Sequence, residues 1–222
     1  VVNASRGFFT SRVFGTFTNE GLAMLGEGVP AALIENTARQ AGMPVGPLAV
    51  SDEVSMSLMR HIREQTRRDL AAEGQSLPEH PAFKVIDQMV NTFQRPGKAA
   101  GAGFYEYPKD ARKYVWPGLK TQFEKPDGMI AQEDVRDRLL FIQAIETVRC
   151  VEEKVLLSTA DANVGSIFGI GFAAWTGGAL QFINQYGLPA FVARARYLAE
   201  QYGERFEPPA LLLEKAASDS LF

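Results

Sequence analysis

Apolar residues spaced three or four positions apart, with glycine and proline between the runs, most constrain what this chain can fold into. From Ser11 onward, residues such as Phe14 and Phe17 fall on one helix face. Glycines and prolines then mark the helix ends. The pattern predicts helices over residues 11–26, 30–41, 46–74, 83–93, 139–155, 178–186, 188–202 and 208–217. Since no run alternates between apolar and polar residues, the predicted class is all-α.

The composition limits the classes of partner. The 222 residues are 46% apolar and 22% charged, which is typical of a globular protein, and the length suits two small domains. The net charge of −3, with both signs interspersed, provides no basic surface for a phosphate backbone. Nucleic acid is therefore not an expected partner.

Residues 162–193 carry no charge and are long enough to raise the question of a membrane span. Repeated glycines, a proline and polar side chains break this stretch into short pieces. We therefore expect no membrane span. The single cysteine excludes a disulfide within the chain and favours a reducing, cytoplasmic setting.

Two segments interrupt the helical pattern. Residues 95–108 combine glycines, prolines and aromatic side chains, which favours a loop. Residues 109–128 are polar and weakly patterned, and Pro126-Asp127-Gly128 is the predicted turn. The boundary between two halves is expected in this second segment.

Two residue spacings occur twice along the chain, as in a divergent internal repeat. One is an Arg followed by a Glu eight residues later, and the other is a Gly followed by an Asp or Asn six residues later. They are Arg12/Glu20 with Arg138/Glu146, and Gly46/Asp52 with Gly178/Asn184. The repeat predicts that the halves are copies, and it prompts the hypothesis that Arg12 and Asp52 form an internal ion pair.

The motif at residues 169–174 has the dinucleotide-binding form Gly-x-Gly-x-x-Ala. That fingerprint requires a strand before it and an acidic residue about twenty positions later. There is no acidic residue between Asp161 and Glu200. We therefore interpret the motif as a tight connection between helices.

His61, His80 and Cys150 are the remaining candidates for chemistry. Together with the scattered carboxylates they form no recognisable metal-ligand spacing. Both histidines are predicted to be surface or capping residues, and Cys150 to be a small buried apolar residue. The residues themselves do not name a reaction.

Four segments together carry a family resemblance. They are residues 1–12 (VVNASRGFFTSR), 41–48 (AGMPVGPL), the Gly-Phe-Tyr loop within 98–107, and 168–172 (FGIGF). In order and spacing, they resemble the C-terminal region of the L-3-hydroxyacyl-CoA dehydrogenase family, particularly the alpha-subunit type of multifunctional fatty-acid oxidation enzymes. The start of the chain, which has no initiator Met, is interpreted as leaving a region upstream.

The resemblance implies two tandem, divergent helical domains packed as an internal pseudo-dimer, after an upstream Rossmann domain that binds NAD. It assigns residues 1–10 to a linker from that missing domain, 11–108 and 131–222 to the two helical domains, and 109–130 to their connection. In this family NAD accepts hydride from a 3-hydroxyacyl-CoA, and a His–Glu pair of the upstream domain removes the hydroxyl proton. The fragment alone is thus expected to be inactive.

Ser11 is the substrate-binding candidate that the resemblance provides. The family's Gly-Phe-x-x-Asn-Arg motif, whose Asn helps to hold the substrate, appears as Gly7-Phe8-Phe9-Thr10-Ser11-Arg12. The shorter hydroxyl leaves four interpretations open: a closer backbone, an intervening water, loss of the role, or a plain helix-capping serine. Phe104 and Tyr105 are expected to bring aromatic surface back over the first bundle.

The implied partners are an acyl-CoA substrate, the upstream Rossmann domain and a thiolase subunit. The implied enzyme is an NAD-dependent oxidoreductase of fatty-acid β-oxidation. The alternative is a non-catalytic helical module with the same scaffold that serves only in dimerisation or docking. The replacement of Asn by Ser11 favours this alternative mildly.

Overall fold

The computed structural model describes residues 2–222, so Val1, the first residue of the predicted linker, lies outside the described residues. Eleven α-helices and one pair of two-residue strands form the regular structure of residues 2–222. The helices are α1 (Thr10–Glu27), α2 (Ala31–Gln40), α3 (Pro47–Val54), α4 (Met56–Ala72), α5 (Pro81–Asp87), α6 (Gly118–Gln122), α7 (Gln132–Glu152), α8 (Thr159–Ile170), α9 (Ala179–Tyr186), α10 (Leu188–Tyr202) and α11 (Ala210–Ser218). The antiparallel strands are β1 (Tyr105–Glu106) and β2 (Tyr114–Val115). The all-α class is confirmed.

Most predicted helix ends lie within a few residues of the observed ones. Helices α9, α10 and α11 start and stop within two residues of the prediction. Gly28 and Gly42 follow the first two helices with φ values of +108° and +103°, a region that favours glycine. The loop predicted for residues 95–108 contains only a 3₁₀ turn at Lys98–Ala100 and the short strand β1.

Five helix predictions were wrong in detail. Helix α7 begins at Gln132 instead of residue 139, and α6 lies within residues 109–128, where no helix was predicted. The single helix predicted over 46–74 is interrupted at Ser55, whose φ of +75° separates α3 from α4 and whose hydroxyl accepts a hydrogen bond from the Leu58 amide at 3.2 Å. The helix predicted over 83–93 continues from α5 as a π-helical turn at Gln88–Thr92. Helix α8 was missed, because its glycines concealed the helical pattern.

Contacts between Cα atoms divide the chain into two compact units. The C-terminal unit contains the chain up to Phe17, Ala38–Pro44 and Gln132–Phe222, and the central unit contains Thr18–Thr37 and Val45–Ala131. Helices α1 and α2 therefore contribute residues to both units. The assignment of residues 11–108 and 131–222 to two tandem domains stays a prediction.

Helix α7 forms the centre of the C-terminal unit, as its nearly all-round apolar pattern predicted. Fourteen of its 21 residues are buried. One of them, Phe141, stacks on Phe191 of α10 with ring centroids 4.0 Å apart, and it meets Phe182 of α9 edge to face. A helix buried on several sides fixes the positions of the segments packed around it.

The central unit has its own apolar core. Helix α1 contributes Leu22 and Leu25, α2 contributes Ile34, and α3 contributes Leu48, all fully buried. Gly21 allows α1 to approach α3 closely, since a Cβ at this position would lie 2.3 Å from the Pro47 side chain. Across residues 2–222, no helix is both long enough and apolar enough to cross a membrane.

Candidate substrate-side site

The candidate site is the turn and helix start formed by residues 3–12 in the C-terminal unit. The backbone amide of Asn3 donates to the Val155 carbonyl at 2.9 Å, and its side-chain amide donates to the Lys154 carbonyl at 2.8 Å. A turn follows, with φ of +78° at Gly7 and +49° at Phe8. A non-glycine residue in this region is uncommon, so the surrounding contacts must hold Phe8 in place.

Helix α8 packs closely against this segment. A Cβ added at Gly165 would lie 3.0 Å from the Phe9 ring, and one added at Gly169 would lie 3.0 Å from the Thr10 methyl. The two glycines, four residues apart on one helix face, thus allow the close approach. Phe9 is buried, whereas Phe8 remains 54% exposed. The turn therefore presents the Phe8 side chain to solvent and the Phe9 side chain to the core.

Ser11 lies at the second position of α1 and its side chain is exposed. The Phe9 carbonyl accepts the hydrogen bond from the Val13 amide, so the helix has already begun before Ser11. The interpretation of Ser11 as a plain capping serine is therefore wrong. Its hydroxyl forms no hydrogen bond with any residue in the described range 2–222.

Arg12, next to Ser11, is held by two carboxylates of the C-terminal unit. Its guanidinium lies 2.6 Å from Glu146 and 2.5 Å from Glu153. The hydrogen bond to Glu153 is the main cause that raises the pKa of Arg12 above its usual value, and the same bond lowers the pKa of Glu153. The predicted Arg12–Asp52 ion pair is wrong, since Asp52 has other partners.

Asp52 is fully buried in the central unit and binds the Gly-Phe-Tyr loop. Its carboxylate accepts hydrogen bonds from the backbone amides of Phe104 and Tyr105 at 2.8 and 2.9 Å, and from the Tyr107 hydroxyl at 2.8 Å. Gly103 allows this approach, because a Cβ there would lie 2.0 Å from the carboxylate. Phe104 and Tyr105 are buried, at 0% and 7% exposure. These residues are scaffold.

The two histidines lie in different settings. His61 is exposed on α4, and His80 precedes α5, where its Nδ1 accepts a hydrogen bond from the Ala82 amide at 3.2 Å. The prediction of a surface and a capping role is confirmed for this pair. Over residues 2–222, no three His, Cys, Asp or Glu side chains are arranged to hold a metal ion.

Cys150 is fully buried on α7, as predicted. Burial raises the pKa of its thiol to about 12, so at neutral pH the sulfur is protonated. A protonated, enclosed thiol is a poor nucleophile. This residue packs as a small apolar group.

The Gly-x-Gly-x-x-Ala motif forms a helix end, as predicted. Gly169 is inside α8, and Gly171 ends that helix with φ of +72°, after which the Phe172 amide donates to the Ser166 carbonyl at 2.9 Å. A dinucleotide needs the opposite arrangement, with the glycines before a helix N-terminus. These residues therefore do not fit NAD.

Sequence reasoning missed the carboxylates that surround the site. The repeated Arg–Glu spacing singled out Arg12 and Glu146. It did not predict that Arg12 pairs with Glu146, which belongs to the second of the two Arg–Glu spacings. Nothing in the sequence distinguished Glu153. Glu153 lies just after the end of α7 and is followed by Lys154 and Val155. Its position becomes informative only once the contacts of Asn3 with these two residues are known.

Comparison with known proteins identifies the class of this fold. It is the fold of the helical C-terminal domains of 3-hydroxyacyl-CoA dehydrogenases. Residues 7–107 match the family model described as 3-hydroxyacyl-CoA dehydrogenase, C-terminal domain. The fatty acid oxidation complex subunit alpha of Vibrio vulnificus (strain CMCP6) is 31% identical over 225 residues, covering 100% of this chain and 30% of that protein. Residues 7–107 therefore match the C-terminal domain of the 3-hydroxyacyl-CoA dehydrogenase family, and the chain spans about 30% of the length of this relative.

Two solved structures show the same fold. The 3-hydroxybutyryl-CoA dehydrogenase from Escherichia coli K12 has a TM-score of 0.70 at 18% identity, covering 98% of this chain and 61% of that one. The dehydrogenase part of multifunctional enzyme 1 from C. elegans has a TM-score of 0.69 at 18% identity, covering 96% and 48% of the respective chains. Both proteins contain substantial sequence outside the matched region.

Proposed function

We propose that this chain is the substrate-side and assembly part of an NAD-dependent (3S)-3-hydroxyacyl-CoA dehydrogenase of fatty-acid oxidation. The family match and the names of the relatives support this proposal. The observation that carries it is the match of residues 7–107 to the family's C-terminal domain. The exposed Ser11 hydroxyl, which has no partner in residues 2–222, stands at the substrate position of the family motif.

In this proposal the chemistry is divided between two parts of a longer protein. NAD, bound by an upstream domain, would accept the hydride, and a base of that domain would take the hydroxyl proton. This chain would orient the acyl-CoA. A serine hydroxyl can both donate and accept a hydrogen bond, so Ser11 suits an oxygen of the substrate's 3-hydroxyl or thioester group. Phe8, which is exposed three residues earlier in the chain, would offer apolar contact to the acyl group.

We also propose that the two copies exchange contacts as the subunits of a dimer do. Arg12 belongs to the first Arg–Glu pair and Glu146 to the second, yet the structure joins these two at 2.6 Å. Such an exchange between copies is what an internal pseudo-dimer requires. A solution measurement of two separate, extended halves would contradict it. Binding to a thiolase and a cytoplasmic setting stay predictions.

The experiment compares this chain with the full-length protein that contains the upstream region. Each is purified, mixed with acetoacetyl-CoA and NADH, and followed by the loss of the NADH absorbance. We expect turnover by the full-length protein and none by this chain, because binding and orientation without the cofactor and base do not bring the reacting atoms together. Full-length protein without activity would favour the docking module, and an active fragment would contradict the division of roles.

A further inference from the structure

The segment that carries Ser11 is bound at both of its ends to the same short stretch of chain. At its start, Asn3 contacts the carbonyls of Lys154 and Val155. At its end, Arg12 pairs with Glu146 and Glu153. We refer to this stretch, residues 146–155, as the α7 clamp. The eight residues between Asn3 and Arg12 therefore have both ends fixed to the end of one buried helix.

The Arg12 guanidinium has a well-defined geometry, although one of its two partners is exposed to solvent. The Arg12 Nε donates to Glu146 at 2.9 Å, while both terminal nitrogens donate to Glu153 at 2.5 and 3.1 Å. The Arg12 and Glu146 side chains are 18% and 12% exposed, but Glu153 is 51% exposed. An ion pair with so exposed a partner adds little to folding stability. What the two-oxygen contact with Glu153 does fix is the orientation of the guanidinium.

Anchoring of the Arg12 side chain restrains the backbone of the neighbouring Ser11. The two residues are consecutive in the first turn of α1, where few backbone hydrogen bonds hold the helix. Before this turn, Gly7 and Phe8 both have positive φ values, and Phe8, which is not a glycine, needs surrounding contacts to hold it there. Without the clamp, the first turn would fray and the backbone that carries Ser11 would lose its fixed position.

We propose that Glu153 and Glu146 are positioning residues, which act through Arg12 to orient Ser11 toward the acyl-CoA substrate. The inference rests on the proposed function, and it gives the second copy a specific task. Helix α7 belongs to the proposed second copy, and its end supplies the α7 clamp that holds the substrate-side turn of the first copy. Glu153 is the more informative of the two, because it lies past the end of α7 and its removal leaves the buried part of the helix unchanged.

The test is a double-mutant cycle in the full-length protein, with kcat/KM for a 3-hydroxyacyl-CoA as the readout. If Glu153 acts through Ser11, Glu153→Ala lowers kcat/KM by about fivefold and Ser11→Ala by about tenfold. The double variant is then no slower than Ser11→Ala alone, because the orientation of an absent hydroxyl has no effect. Glu64→Ala is the matched control, since Glu64 on α4 also pairs with two arginines and is 40% exposed. We expect it to leave kcat/KM unchanged.

Urea unfolding of each variant separates positioning from folding. Glu153→Gln, which keeps a neutral hydrogen-bond acceptor, should restore part of the lost activity. Independent, multiplying effects of Glu153→Ala and Ser11→Ala would overturn the inference, and so would a Ser11→Ala variant with full activity. In both cases the wild-type protein would still oxidise the substrate, so the proposed function would stand. A wild-type full-length protein without dehydrogenase activity would overturn both.

Discussion

The N-termini of α3 and α9 are capped in the same way by different side chains. In the central unit, Glu35 accepts hydrogen bonds from the amides of the second and third residues of α3, Leu48 and Ala49, at 2.8 and 3.4 Å. In the C-terminal unit, Asn163 accepts them from the second and third residues of α9, Leu180 and Gln181, at 3.0 and 3.1 Å. A glycine precedes each helix because a Cβ there would collide with the capping residue.

A second pair of equivalent positions holds the ends of the two copies. Asp52 and Asn184 each lie five residues after the first residue of their helix. Asp52 accepts bonds from the loop at Phe104 and Tyr105, whereas Asn184 exchanges hydrogen bonds of 3.1 and 3.4 Å with the backbone of Phe222. One copy thus uses carboxylates where the other uses amides.

The difference teaches that the same capping geometry can be built with different chemistry. An amide can donate and accept, so Asn184 satisfies both backbone groups of one residue. A carboxylate only accepts, and Asp52 therefore gathers three donors from a loop. The central unit gains charge-assisted hydrogen bonds in this way, but it also buries two acidic groups. We expect the carboxylate copy to be the more sensitive to substitution.

The largest expected effect is that of Asp52→Ala. It leaves two backbone amides and the Tyr107 hydroxyl without their acceptor in a fully buried site, and we expect a loss of about 4 kcal/mol in the free energy of unfolding. The matched change Asn184→Ala, at a partly exposed site, should lose about 1 kcal/mol. Urea unfolding of the two variants measures the difference. Equal losses would show that the carboxylate adds nothing to the shared geometry.

Tyr105→Phe tests the connection between the two buried carboxylates of the central unit. The Tyr105 hydroxyl donates to Glu35 at 2.6 Å, while its backbone amide donates to Asp52. Since the acceptor is a buried carboxylate, we expect the loss of this hydroxyl to lower the free energy of unfolding by about 2 kcal/mol. Tyr114→Phe, at a ring that is 53% exposed, is the control and should change it by less than about 0.5 kcal/mol. Similar values for both would remove the bridging role.

The sequence predicted most helices because they leave periodic signals, whereas the repeat of two copies stays a prediction. The spacing of Gly46 from Asp52 and of Gly178 from Asn184 corresponds to the equivalent positions compared above. The partner of Arg12 could not be predicted, since an ion pair between residues 134 apart depends on packing rather than on spacing. Ser55 was missed for a similar reason: its break is stabilised by the Met56 amide donating to the distant Pro96 carbonyl.

For the candidate site, the sequence predicted Ser11 but not what surrounds it. The family motif identified the position, which the structure shows to be exposed on the first turn of α1, and its role in substrate binding stays a proposal. The α7 clamp could not be predicted from the sequence, because Asn3 contacts backbone carbonyls, which any residue type provides. Contacts to backbone leave no signature in the residues that accept them.

The smallest expected effect is a pH dependence that only the carboxylate copy should show. Burial raises the pKa of Asp52 above its usual value, opposed by its three hydrogen bonds and by Lys113. The native state therefore binds this proton more tightly than the unfolded state does, and the contribution of Asp52 to stability falls as the pH rises above about 4.

Asp52→Asn converts the carboxylate to the amide of the other copy and removes this titration. The free energy of unfolding of wild type minus that of Asp52→Asn should be greatest near pH 4 and decrease toward neutral pH, as measured by urea unfolding at several pH values. Asp110→Asn, at an exposed carboxylate, corrects for the loss of one negative charge. A difference that instead grows with pH would mean that the hydrogen bonds to the ionised form outweigh its burial. The ionised Asp52 carboxylate would then stabilise the fold at neutral pH. The Asn184 amide does not ionise and makes no such contribution to the free energy of unfolding.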